Sequence, residues 1–224
     1  MNNIKEKIKL LSGANDEIVF AIEQVGWEKV YQIGEPVSWE GDNSEAVYFV
    51  ISGAVEIFRN ALDGREHTLG IMQPGDSFNL VPILSENREN LANARCIRQS
   101  TIFLVGQADF LSILQRYPDF SVIILKEVAA RLAKMTHKAG ELALYSVQQR
   151  LARFLINEAD KALQGEQLFW TRDDMARQIG TVRDVVSRHL RIFEEQGLIK
   201  RVKGKVRLID RQGLENTAEG RNAT

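Results

Sequence analysis

The sequence predicts an α+β chain: an N-terminal β-roll of jelly-roll type over residues 1–117, a long helix over 118–144 and a C-terminal winged helix-turn-helix over 145–224. Three observations carry this prediction. Glycines punctuate short β-branched and aromatic runs in the first hundred residues. Apolar spacing switches to a helical period after Pro118. Two short helical patterns then meet at a glycine and are followed by a basic hairpin. At 224 residues, 44% apolar and 26% charged, the chain has room for one large domain or two small ones, and too much apolar content for long disorder.

The roll comes first. Gly26, Gly34, Gly41, Gly53, Gly64, Gly70 and Gly75 separate runs such as Ala46–Ser52, Ala54–Phe58 and His67–Met72. Asp63-Gly64 reads as a hairpin turn because both residues tolerate positive φ. A further strand, Thr101–Val105, precedes a helical stretch over Ala108–Arg116. Short strands with regular turns predict a small sandwich or jelly roll.

From Pro118 to Leu144 no further proline occurs. Leu125, Val128, Leu132, Met135, Ala139 and Leu142 follow one another at alternating intervals of three and four, a heptad seam flanked by polar residues. One reading is a helix lying on its own sheet; the other is a coiled coil between two copies of the chain. A core-facing helix shows a wider apolar stripe, so the spacing favours the homodimer.

Another helix is expected over Ser146–Leu163, then a short strand over Gln167–Trp170. Thr171-Arg172-Asp173-Asp174 is a capping-box-like start. The first short helix, Asp173–Ile179, turns Met175, Ala176 and Ile179 inward and stops at Gly180, a C-terminal position suited to positive φ. The second, Val182–Phe193, turns Val185, Val186, Leu190 and Phe193 inward and leaves Arg183, Asp184, Ser187 and Arg188 on the other side. Such a second helix enters the DNA major groove. Two short strands about Lys203-Gly204 make a basic wing.

Charge supports the pattern. Residues 171–209 hold ten Lys and Arg against five Asp and Glu, whereas residues 1–170 hold seventeen against twenty-two. A basic module on an acidic one points to nucleic acid. Arg188 can bond both acceptors of a guanine edge, Asp184 can accept from a cytosine amino group, and Ser187 can reach a neighbouring base. Thr171, Thr181, Lys203 and Lys205 are placed for phosphate, which orients without specifying. The alternative for each cation is a solvated surface charge.

On these residues the chain resembles the cyclic-AMP receptor protein/FNR family of bacterial transcription regulators. TRDDMARQIGTVRDVVSRHLRIFEEQGLI is similar to that family's C-terminal motif, and GEPVSWEGDNSEAVYFVISGAVEIF to its cyclic-nucleotide-binding-like roll. The resemblance implies a homodimer joined by the long helix, a palindromic DNA site and a contact with RNA polymerase. Asp184 stands where the family usually has glutamate, a shorter reach. Asp184-x-x-Ser187-Arg188 resembles the FNR type and Arg183 the cyclic-AMP receptor type, which implies a half-site combining features of TTGAT and TGTGA.

Family members that bind cyclic AMP carry a glutamate after a Gly-Asp corner and an Arg-Ser pair farther along. Here Gly75-Asp76 is followed by Leu80 in the glutamate's place and Asn90-Leu91 in place of Arg-Ser. An anionic phosphate needs a cation or several donors, so cyclic AMP is disfavoured, with Arg88 and Arg95 as the cations that a shifted register would bring in. The expectation is a small effector, apolar or an organic acid, lodged between roll and long helix near Gly75, Phe78, Asn79, Leu80, Val81, Asn90 and Leu91; plain core packing is the alternative for that apolar loop.

A single cysteine, Cys96, cannot ligate an iron–sulfur cluster of the FNR kind. Haem stays an alternative through His67, Met72 or Cys96. His137 is expected in solvent, and His189 to pack between helices and titrate near neutrality. No Ser/His/Asp order, metal-spaced cluster or phosphate-cradling glycine loop points to an enzyme. A regulatory module acting on protein partners would explain the roll but not the basic C-terminal third. No apolar run of membrane-spanning length and no secretion-signal pattern occurs, which predicts a cytoplasmic protein.

Overall fold

The computed structural model describes residues 4–60, 66–163, 170–202 and 205–221. The chain divides into two units, Met1–Ala133 and Lys134–Thr224. The division falls inside the long helix rather than at its ends, where the sequence suggested boundaries. Among the described residues no helix is long and apolar enough to cross a membrane.

The first unit begins with α1 (Ile4–Lys7), a 3-10 turn (Lys9–Leu11) and α2 (Asp16–Val25). Asn15 caps α2 by accepting from the Ile18 N–H at 2.9 Å. Strands β1 (Trp27–Tyr31), β2 (Pro36–Ser38), β3 (Ala46–Asn60), β4 (Glu66–Met72), β5 (Ser77–Phe78) and β6 (Asn93–Gly106) follow, with the short helix α3 (Leu80–Leu84) before β6. All strand pairs are antiparallel, in the order β1-β6-β3-β4, with β2 added to β6 and β5 to β3.

The sheet is apolar on both faces. Inside the roll lie Tyr31, Ala46, Tyr48, Val50, Val55, Phe78, Cys96, Ile102 and Leu104. The alternate residues Val47, Phe49, Phe103 and Val105 face outward, where α2, α4 (Gln107–Arg116) and the start of α5 (Pro118–Leu144) cover them with Ile18, Ile22, Phe110, Phe120 and Ile124. The two runs expected as separate strands, Ala46–Ser52 and Ala54–Phe58, are one strand. Gly53 at φ +89° sits in a stretch where the register shifts against β6. That irregularity moves the inward set from even-numbered residues (Tyr48, Val50) to an odd-numbered one (Val55), so the strand keeps its apolar face inside beyond the bulge. The expected turn Asp63-Gly64 lies outside the described residues; Asn60 and Glu66 pair on either side of it.

Helix α5 spans Pro118–Leu144, and its first turns lie on the chain's own sheet. Phe120 and Ile124 are buried against the chain's own sheet, and Val128, expected in the seam, is half-buried on the same cluster. Leu125, Leu132, Met135, Ala139 and Leu142 are exposed in the single chain.

The second unit holds the last turns of α5, then α6 (Val147–Leu163), α7 (Arg172–Ile179), α8 (Arg183–Glu195), the hairpin β7 (Ile199–Val202) and β8 (Lys205–Leu208), and α9 (Arg211–Ala218). Leu151, Leu155, Met175, Ala176, Ile179, Val186, Leu190, Phe193, Leu198 and Leu214 form its core. Residues 167–169 of the strand expected before Trp170 lie outside the described residues, and Trp170 itself is not in a strand. Helix α9, which the sequence did not suggest, starts at Asp210, whose side chain accepts from the Gly213 N–H at 3.0 Å.

Gly53 carries a test of the bulge. A Cβ there would stand 2.2 Å from Ser100 Oγ and 2.4 Å from the Gln99 carbonyl oxygen, at a φ that side chains avoid. Gly53→Ala is expected to cost about 2–4 kcal/mol in urea unfolding. A loss below about 0.5 kcal/mol, the range of surface substitutions, would show that the bulge relaxes freely.

Candidate nucleic-acid interface

The interface is built from how α7 starts and stops. Thr171 Oγ1 accepts from the Asp174 N–H at 3.1 Å, and the Asp174 carboxylate accepts from the Thr171 N–H at 3.0 Å, a complete capping box. Burial pushes the Asp174 carboxyl up, but hydrogen bonds from Thr171 and Arg177 outweigh it and hold the group below its ordinary value. The hydroxyl of Thr171 also donates to Asp174 at 2.6 Å. In this arrangement the hydroxyl serves the cap.

At the other end Gly180 takes φ +68°, and both its N–H and that of Thr181 donate to the Ala176 carbonyl. The chain reverses and α8 begins with Val182 at its N-cap. Val186, Leu190 and Phe193 are buried and fix the rotation of α8 about its axis. Arg183, Asp184 and Arg188 are then exposed together on the opposite face, with Ser187 half-buried beside them. Arg183 lies 3.9 Å from Asp173, a loose approach between exposed groups. Thr181 is half-buried in the turn.

The wing is anchored to the end of α8. Arg201 donates from Nε to Glu194 Oε2 at 2.7 Å, and the Arg201 N–H donates to Oε1 at 3.1 Å. Lys203 lies outside the described residues, and of Lys205 only the backbone position in β8 is described. Lys200 and Arg207 stand opposite each other across the hairpin and are both exposed. The spacing of the basic residues alone did not single out this pair.

His189 sits among these groups, half-buried on α8. Its Nδ1 is buried and has no hydrogen-bond partner among the described residues. Burial, and then the neighbouring Arg188 charge, pull its pKa below the ordinary value.

The effector positions do not converge. Phe78 stacks on Tyr48 inside the roll, ring centroids 4.8 Å apart. Leu80 is fully buried in the cluster on the outer face. Val81 and Leu91 are exposed, Leu91 at 62%. Gly75 takes φ +92° at the corner, where Asp76 accepts from Lys9 and from the Gln73 N–H. Only Asn79 and Asn90 meet: the Asn79 amide donates to Asn90 Oδ1 at 2.7 Å and to Ser44 Oγ at 3.0 Å, and Asn90 donates to the Trp39 carbonyl at 3.0 Å. The seven positions expected near an effector are therefore split between a sheet strand, an outer core and a polar network, and for Leu80 plain core packing holds.

Of the two arginines considered as rescuing cations, Arg95 is engaged by Glu56 and Glu66 and lies 4.2 Å over the Phe58 ring, and Arg88 is exposed at φ +55°. Of the haem candidates, His67 is exposed on β4, while Met72 packs on the roll interior and Cys96 is fully buried there with its thiol pushed up by burial. Among the described residues no group of three or more His, Cys, Asp or Glu side chains is arranged to hold a metal ion.

Known proteins show the same two parts. Residues 28–117 match the family profile described as a cyclic nucleotide-binding domain, and residues 149–217 that of a Crp-like helix-turn-helix domain. The chain is 32% identical over 197 residues to a cyclic AMP receptor protein of Thermus thermophilus, covering 86% of this chain and 88% of that one. It is 30% identical over 187 residues to the cAMP-activated global transcriptional regulator Vfr of Pseudomonas aeruginosa, covering 80% and 87%. A solved catabolite activator protein of Thermus thermophilus superposes with a TM-score of 0.57 at 27% identity, over 96% of this chain and 100% of that one.

The buried, unpartnered Nδ1 of His189 gives a pH test. A folded pKa below the unfolded one means that the unfolded chain binds the extra proton, so stability is full above about 6.5 and is lost as pH falls from there toward the folded value. The thermal midpoint of the wild type is expected to drop between about pH 7 and pH 5.5, and His189→Gln to lack that part of the drop. An identical pH slope in both proteins would show that the ring reaches a partner on protonation.

Proposed function

Because this chain belongs to the cyclic-AMP receptor protein/FNR family of transcriptional regulators, we propose that it acts as a homodimer that reads a palindromic duplex through α8 and passes the result to RNA polymerase. One observation carries the reading: burial of Val186, Leu190 and Phe193 leaves Arg183, Asp184 and Arg188 together on an exposed helix face that no other described element covers. Such a face fits the major groove. Arg188 reads guanine in a bidentate contact and Asp184 accepts from a cytosine amino group. Lys200 and Arg207 of the wing supply phosphate contacts, with Thr181 and the backbone of the α7 start beside them.

The dimer is supported by Leu125, Leu132, Met135, Ala139 and Leu142, apolar and exposed in the single chain at heptad spacing. A seam of this kind places two copies of α8 for half-sites about one duplex turn apart.

The effector is a small molecule other than cyclic AMP. The two relatives are named as a cyclic AMP receptor and a cAMP-activated regulator. In this chain the glutamate position is Leu80, wholly in the core, and the Arg-Ser position is Asn90-Leu91, with Asn90 spent on Asn79 and Trp39. A cyclic phosphate would meet amides already bonded to one another, and neither Asn90 nor Leu91 brings a cation.

Two measurements test this. Selection from a random duplex pool is expected to return a palindrome bound with steep salt dependence, since each neutralised phosphate releases counterions. Arg188→Ala is then expected to lose about 1–3 kcal/mol of discrimination at one base position; equal loss on random DNA would deny it a base contact. Cyclic AMP at millimolar concentration is expected to leave both DNA affinity and melting midpoint unchanged. A tenfold gain in affinity would overturn the effector assignment while leaving the DNA reading intact.

A further inference from the structure

The turn between α7 and α8 is held from behind by one arginine. The last carbonyls of α7 have no partner within the helix. Arg150, in the first turn of α6, donates from Nε to the Ile179 carbonyl at 2.8 Å and from Nη2 to that of Gly180 at 3.4 Å. Its third nitrogen, Nη1, donates to the carbonyl of Tyr145 at 2.6 Å, immediately after the end of α5. One guanidinium thus joins the C-terminal carbonyls of two helices, each of which favours a cation through its dipole. A planar fork with donors in several directions can do this; a lysine ammonium on a single stem reaches one end.

The last turns of α5 press on the same place. Lys138 Nζ lies 3.4 Å from the Arg177 carbonyl oxygen. A Cβ on Gly180 would stand 2.6 Å from Leu142 Cδ2, so Leu142 already touches the turn. Between α5 and α6, Tyr145 carries Arg153 over its ring at 4.4 Å, and Ser146 and Gln149 cap the start of α6 reciprocally.

We infer that Arg150 is a positioning residue that fixes the helix-turn-helix to the end of α5 and thereby sets the half-site spacing the dimer accepts. The inference rests on the dimeric DNA-binding reading above. In that dimer the two copies of α5 flank the two-fold axis, so the separation of the two α8 helices follows from how each turn is docked on its own α5. Base choice belongs to the exposed face of α8. Spacing choice belongs to the joint that Arg150 closes.

The test uses the full-length chain as wild type, Arg150→Gln and Arg150→Lys. Each is titrated against duplexes that carry the selected half-sites at separations changed by one to three base pairs, and against a panel of single-base changes at the preferred spacing. Wild type is expected to favour its spacing by about tenfold or more over a two-base-pair change, and Arg150→Gln by about threefold or less, since half-site spacing is set by the geometry of the dimer. The ranking of single-base changes is expected to stay the same, and Arg150→Lys to fall between.

Arg150→Gln retaining the full spacing ratio, whatever its overall affinity, would overturn the inference. If circular dichroism shows that Arg150→Gln does not fold, Arg150→Lys decides, and a wild-type ratio there overturns the inference equally. A wild type that selects a palindrome but ignores spacing refutes the positioning role alone; one that binds no duplex removes the DNA reading and this inference with it.

Discussion

A helix that stops leaves carbonyls without partners, and the C-terminal unit is organised around how α7 resolves that. Gly180 enters the left-handed region, the N–H groups of Gly180 and Thr181 both return to Ala176, and Arg150 takes the Ile179 and Gly180 carbonyls. The missing Cβ serves a second purpose, since it admits Leu142 to the turn. Where α8 begins and which way it points follow from this corner. Its rotation follows from Val186, Leu190 and Phe193, and exposure of Arg183, Asp184 and Arg188 is the remainder of those two decisions.

The N-terminal unit solves a different problem, a sheet with apolar residues on both faces. Alternation along β3 and β6 feeds the roll interior and the helix-covered side at once, and the bulge at Gly53 corrects the parity so that Val55 still faces inward. A polar network lies at the rim. There Asn79, Asn90 and Ser44 satisfy one another and tie the segment around Trp39 to the loop after α3. Arg95 is held by Glu56 and Glu66 and by its stacking on Phe58. A rim closed by its own hydrogen bonds would have to exchange them for those of a bound anion.

Legibility in the sequence tracked the range of the signal. Helix α5, the capping box at Thr171 and the stop at Gly180 rest on residues within a few positions of one another, and they were readable. The continuity of β3 was not, because a glycine reads as a turn unless the register of β6 opposite it is known. The loop after Gly75 misled for a related reason. Phe78 and Leu80, two residues apart, would share a face had β5 continued, but Asn79 adopts φ +65° and sends Leu80 to the opposite side of the sheet. Thr171 was legible as a cap because its partner Asp174 stands three positions on. Arg150 gave no sequence signal: it is one arginine on a polar stretch of α6, and its role exists only where two helix ends converge on it.

The net charge of the C-terminal third becomes informative once its ion pairs are assigned. Over residues 171–209 the acids are largely matched inside the unit: Asp174 to Arg177, Glu194 to Arg201 and Glu195 to Arg191. Arg172, Arg188, Lys200 and Arg207 take part in no ion pair among the described residues and are all exposed. The surplus of positive charge is therefore concentrated on the start of α7, the exposed face of α8 and the wing. Exposed pairs contribute little to stability, so their main consequence is this sorting. Arginines tied to Glu194 and Glu195 brace the far end of α8, while the cations without an acid give the start of α7, the exposed face of α8 and the wing a positive potential.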